Sequence, residues 1–175
     1  MKLPVIVLAG ALSFAATSAL PQGAAPNDAQ IAHIVVTANQ VDIDAGKLAE
    51  SKASNKDVKA FGKQMVTDHS GVNQQAVALA TKLKVKPEDN PTSQSLKAGG
   101  ADNVQKLKAL SGAAFDKAYV DHEVAYHQQV LDAIDKVLIP SAQNAELKGL
   151  LEKVRPAIAA HLDHAKMMAS SLAKK

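Results

Sequence analysis

Asp42, His69, His127 and His161 each fall at the centre of an otherwise apolar helical stripe, and each sits on a different segment of the chain. An ionisable group in such a place must be desolvated, which is costly unless it finds a partner. One carboxylate with three imidazoles is a ligand set for iron, manganese, zinc or copper(II). It is a poor one for calcium or magnesium, which prefer oxygen. Imidazole binds metal in its neutral form and Asp is ionised at neutral pH, so little proton work opposes binding. The cofactor expected is therefore a transition-metal ion. Asp68, Glu123, Tyr119 and Tyr126 lie near enough along their helices to orient the imidazoles, and Glu123 could also coordinate directly. His164 flanks His161 on the same helix.

Four long helices must carry these residues. The first, from a cap at Asn27 or Asp28 to about Lys52, buries Ile31, Ile34, Val35, Ala38, Asp42, Ala45 and Ala49. After a break at Ser54 and Asn55, the second runs to about Leu83 and buries Val58, Phe61, Met65, His69, Val72, Ala76 and Leu79. The third, about 113–139 and ended by Pro140, aligns Val120, Val124, His127, Leu131, Ile134 and Leu138 within about 40° of one direction. His122 falls about 160° from that stripe and is expected to face water. The fourth, about 144–173, presents Leu147, Leu151, Val154, Ile158, His161, Ala165 and Leu172, with Pro156 expected to kink it and free a carbonyl near the core. His33 and Asp44 lie on the far side of the first helix and are expected to be solvated.

Residues 85–112 contain Pro87, Pro91, Gly99 and Gly100 and read as a long connector with a short helix at about 102–109. If it runs the height of the bundle, then at about 1.5 Å per residue the four odd side chains lie roughly 18 to 22 Å from one common end. They converge at mid-height.

The chain has 175 residues, 47% of them hydrophobic but only 3% aromatic, which suits one domain of closely spaced helices. Residues 1–19 read as a secretory signal: Lys2 gives the positive start, Val5 to Ala16 the apolar stretch, and Thr17, Ser18 and Ala19 the small residues for cleavage. Residues 20–26 are expected to form a flexible leader and 27–175 the bundle, and the mature protein is expected in the periplasm or outside the cell. With no cysteine there is neither a disulfide nor a thiolate ligand. The net charge of +3 has no basic stripe or base-stacking aromatics behind it, which argues against nucleic acid as a partner. No apolar segment after residue 19 is long enough to span a bilayer. Phosphate-binding loops and nucleophile elbows are absent, so any enzymatic turnover would be metal-dependent redox chemistry.

Met65-Val66-Thr67-Asp68-His69, Phe115-Asp116-Lys117-Ala118-Tyr119 leading to His127, and Arg155-Pro156 leading to His161-Leu162 resemble the recurring blocks of the domain-of-unknown-function family numbered 4142. The similarity covers roughly residues 28–172. It implies a bacterial source, export, a ferritin-like antiparallel four-helix bundle with a long connector between the second and third long helices, and the label "predicted outer membrane protein". Asp42 and Asp44 stand where that family often shows Glu. The paired Glu-x-x-His motifs of ferritins are missing, so the resemblance does not extend to their iron oxidation and storage.

The leading expectation is an exported helical bundle holding a transition-metal ion through Asp42, His69, His127 and His161, for metal handling or stress defence. A second is a structural or interaction protein whose buried polar cluster fixes helix packing without an ion. A third is copper binding at His161, His164 and Met168, with Met65 as a soft ligand.

Overall fold

Asn27 opens α1 (Asp28–Lys52) by accepting from the Gln30 N–H, while the Gln30 side chain accepts from the Asn27 N–H. This reciprocal closure satisfies two donors that a helix start leaves free. Asn55 does similar work for α2 (Lys56–Lys82), accepting from the N–H groups of Asp57 and Val58. The computed structural model describes residues 25–174, which are helical with no strand among them. The expected export segment, residues 1–19, and residues 20–24 of the leader lie outside the described residues.

The connector carries more helix than its prolines and glycines suggest. In place of a short helix at 102–109 it forms α3 (Pro91–Lys108). Asn90 caps this helix by accepting from the Ser93 N–H, and Pro91 occupies the first turn, where a missing N–H costs nothing. Gly100 is tolerated within it because a Cβ there would meet Val41 at 2.6 Å, so glycine lets α3 lie directly on α1.

The third long helix, α4 (Gly112–Ala133), continues through a π-helical turn (Ile134–Leu138) into a single turn, α5 (Ile139–Ser141). Pro140 has no N–H to donate to the carbonyl four residues back, and just before it the Ile139 N–H donates five residues back, to Ile134 O, at the end of the π turn. The last helix, α6 (Ala145–Leu172), runs through Pro156. Pro156 and Glu152, whose carbonyl it leaves free, are both exposed, so that carbonyl lies on the solvent side and not near the core.

Two carboxylates tie the long helices together end to end. Asp116, in the first turn of α4, accepts from the N–H groups of Ser54 and Asn55 at 2.9 Å each, beside the α1–α2 turn. Asp28, the first residue of α1, accepts from the N–H groups of Gln143 and Asn144 at 2.9 and 3.0 Å, where α6 begins. The start of α4 therefore lies with the end of α1, and the start of α6 with the start of α1. The connector between α2 and α4 must cover the full length of the helices. Where α1 and α2 pack, a Cβ at Gly62 would meet the Ala49 Cβ at 2.7 Å and the Gly46 carbonyl at 2.9 Å, so two glycines bring these backbones close.

The apolar interior falls into two clusters. One, around Ile31, Ile34, Leu131, Ile134, Leu147 and Leu151, is entirely aliphatic and lies at the α4–α6 end. The other, around Phe61, Met65, Leu107, Phe115, Tyr119 and Val120, lies at the α1–α2 end. Asp42, His69 and His127 each occur between the two along their own helices, and His161 lies at the border between them on α6.

Candidate metal centre

His69, His127 and His161 come from α2, α4 and α6, and their ring centroids form a near-equilateral triangle with sides of 5.7, 5.3 and 5.4 Å. All three rings are buried. Each can offer a nitrogen such that the three lie within 4.8 Å of one another. Asp42, from α1, places Oδ2 3.2 Å from His69 Nε2 and 3.7 Å from His127 Nε2. The four residues found at the centres of four stripes thus share one place in the interior.

Each imidazole is held from outside by an acceptor. Asn39 donates its Nδ2–H to the Val35 carbonyl, which turns its Oδ1 toward His69 Nδ1 at 2.6 Å. His127 Nδ1 lies 3.0 Å from the Glu123 carbonyl, one turn earlier on α4. His161 Nε2 lies 3.0 Å from the Asp68 carboxylate, which α2 extends across to α6. Because an amide oxygen, a carbonyl and a carboxylate only accept, each outer nitrogen carries the ring's proton. The opposite nitrogens, His69 Nε2, His127 Nε2 and His161 Nδ1, are buried and make no hydrogen bond. Asp42 Oδ1 and both Glu123 carboxyl oxygens are buried and unpartnered as well. Buried polar atoms are normally paired, and here lone pairs face lone pairs. Either a proton or a cation must stand between them, and the outward acceptors on each ring are the arrangement that orients metal-binding imidazoles.

The electrostatics agree with the geometry. Burial first, then the neighbouring imidazoles of His127 and His161, push His69 down to about 3, so it is neutral at any ordinary pH. Burial likewise lowers His161, against the opposing pull of Asp68. Burial raises Glu123 to about 8, although the neighbouring Asp42 and Tyr119 side chains pull the other way. Asp42 is raised well above the usual carboxylate range, by burial and then by Glu123. The Tyr119 hydroxyl is raised too, by burial and then by Glu123 and Asp42. The His69 imidazole is ready to bind an ion, whereas Glu123 must first release a proton.

Glu123 is more central than a stripe-edge position suggests. It is fully buried, and with Asp42 and His127 it forms a second set of donor atoms within 4.8 Å. These buried groups could hold a metal ion. Tyr126 stands edge-on to the His127 ring, but its hydroxyl donates to the Ala38 carbonyl at 3.0 Å and to no imidazole. His164 is not in the cluster, because its ring packs edge-on against Phe61 at 5.1 Å. Met65 and Met168 are buried in the apolar cluster at the α1–α2 end. His161 turns toward His69 and His127, while the His164 ring lies against Phe61.

Two histidines depart from the outward positions expected of them. His122 is half-buried, stacked 5.5 Å from the Tyr126 ring, with burial and His127 lowering it to about 4. The stripe of α4 does not record that α3 covers this flank. His33 is also half-buried, 3.7 Å from Asp89 just ahead of α3, for the same reason. Asp44 is exposed as expected. Asn39 is the functional-looking residue that the stripes pass over. Its signal is an amide placed one turn before Asp42 on the buried side of α1.

A family model described as a domain of unknown function (DUF4142) matches residues 13–168. No curated protein and no solved structure matches the chain.

Proposed function

The chain belongs to the DUF4142 family, and we propose that it is an exported, ferritin-like four-helix bundle that holds a transition-metal ion in its core, for metal handling or stress defence. The observation that carries this reading is the set of three buried imidazoles, each tied by its outer nitrogen and bare at its inner one, converging beside Asp42. Nitrogen donors with a carboxylate and no thiolate favour iron, manganese, zinc or copper(II). Support for the ferritin-like arrangement comes from the two clamps, which require a connector that spans the helices between α2 and α4. Support for export comes from Lys2, the apolar stretch after it and the small residues at 17–19. No helix among the described residues is long and apolar enough to cross a membrane.

Metal analysis of untagged protein tests the reading against a His69→Ala, His127→Ala double variant. The native chain should retain an ion that the variant loses, and equal content in both would end the hypothesis.

The pH dependence of stability separates this reading from its rival, a polar layer that fixes helix packing without an ion. In metal-free protein the folded state keeps the Glu123 proton up to about 8, while the unfolded chain releases it above 4.5. That interaction costs stability progressively as pH rises through this window. His69 acts in the opposite sense: the unfolded chain takes a proton below 6.5 that the folded state refuses until about 3. Stability is lost as pH falls through that range. The two slopes oppose each other between 4.5 and 6.5, so chelator-treated protein should melt highest there and lower at pH 8. An ion that keeps the carboxylates charged should abolish the alkaline loss. Identical melting profiles with and without chelator would favour the structural layer.

A further inference from the structure

Beside the centre lies a cavity of about 610 Å³, partly open to solvent, between α1, α3, α4 with its π turn, and α6. Protein interiors are normally close-packed, and a void of this size forgoes the dispersion contacts that its walls would otherwise make. The volume is that of a small-molecule site. Its walls are mainly aliphatic, with Ile34, Leu96, Val130, Leu138, Leu151 and Ile158 among them, and no Lys or Arg lines it. Ile134, Val137 and Leu138 of the π turn form part of the wall, and π turns recur at functional sites.

Polar atoms of the metal centre enter this cavity from one side only. Asp42, His69 and Asn39 line it, whereas Glu123, His127 and His161 do not. Thr92, Ser95, His122, Tyr126 and Gln129 also line it, but an ion held by Asp42 and His69 would be the strongest anchor there for one polar end of an aliphatic occupant. With no Lys or Arg in the walls, the ion is the main charge that can balance an anionic head. Asp42 is the one carboxylate that lines the cavity, and a transition-metal ion beside it accepts an anionic oxygen ligand from that side. Four protein donors also leave room for a further oxygen ligand.

We propose that this cavity binds an aliphatic monocarboxylic acid, its chain between α3, the π turn and α6 and its carboxylate on the ion beside Asp42 and His69. The proposal rests on the metal reading for the placement of the head group. Cobalt(II), whose visible absorption reports its ligands, serves as the ion, and decanoic acid as the probe. Saturable binding measured by calorimetry, with a shift of the cobalt bands, is the expected result. Ala133→Phe, which fills the cavity from α4 two turns beyond the ligands, should weaken binding at least about tenfold and leave cobalt content unchanged. Gly99→Leu on the α3 wall, where a Cβ meets nothing within 4 Å, gives the same test if the first variant folds poorly. Full cobalt content without decanoic acid binding overturns this proposal and leaves the metal centre standing. Binding with unshifted bands, or equal binding to chelator-treated protein, overturns the placement of the head group. Failure of the native chain to take up cobalt removes both readings together.

Discussion

The two apolar halves on either side of the polar centre are built to different tolerances. At the α1–α2 end, Phe61, Phe115 and Tyr119 meet ring to ring, with Phe61 and Phe115 each 6.3 to 6.4 Å from Tyr119, and glycines draw α1 and α2 together. At the α4–α6 end the cluster has no aromatic ring, and Ile34, Ile134, Leu138 and Leu151 each turn part of their surface to the cavity. The first half works as a rigid mount that sets the spacing of the helices. The second gives up packing to leave space next to the centre. A bundle of this size can do both because the packed end, together with the clamps at the two ends, fixes the register that the open end does not.

Truncating one residue in each half tests that contrast most strongly. Phe61→Ala should cost about 3–5 kcal/mol in urea unfolding, since it empties a fully buried site. Ile134→Ala removes a side chain already bordering empty volume and should cost about 2 kcal/mol, the low end for such truncations. Equal losses would mean that the cavity is filled or collapses in solution, and the distinction between the halves would go with it.

The clamps sharpen the comparison at a smaller scale. Asp116 is buried and Asp28 half-buried, although each accepts from two backbone N–H groups. Asp116→Ala should cost about 1–3 kcal/mol, because it strands two donors away from water. Asp28→Ala should cost less, since water can replace the carboxylate there. Reversal of that order in denaturant melts would place the rigid mount at the wrong end.

Glycine substitutions give effects of opposite sign, the smaller of them the smallest of all. Gly62→Ala should destabilise by about 1–3 kcal/mol, through contact with the Ala49 Cβ and the Gly46 carbonyl. Gly99→Ala, on the cavity wall with nothing nearby, should instead stabilise by about 0.5–1 kcal/mol through helix propensity alone. Stabilisation by both would show that the close α1–α2 approach is not required.

The helices and the identity of the centre were legible because both are written in periodicity. Asp42, His69, His127 and His161 are each conspicuous against their own stripe, and nearly equal distances from shared turns put them at one height. Even Asp68 could be read as the partner of an imidazole from its place beside His69. Asn39 was less visible, because an amide on a helix face has many ordinary uses and only the His69 contact distinguishes this one.

What the linear order of residues determined alone is the set of amphipathic helices, their caps and the polar interruption each one carries, since hydrophobic period and capping chemistry act within a few turns of chain. Only the tertiary structure decided that the connector forms α3 and covers His122, that Glu123 is wholly interior, and that a cavity opens beside Asp42 and His69. Those features depend on which surfaces two distant segments bury against each other. Burial of that kind is a property of the packed assembly, and no single helix contains it.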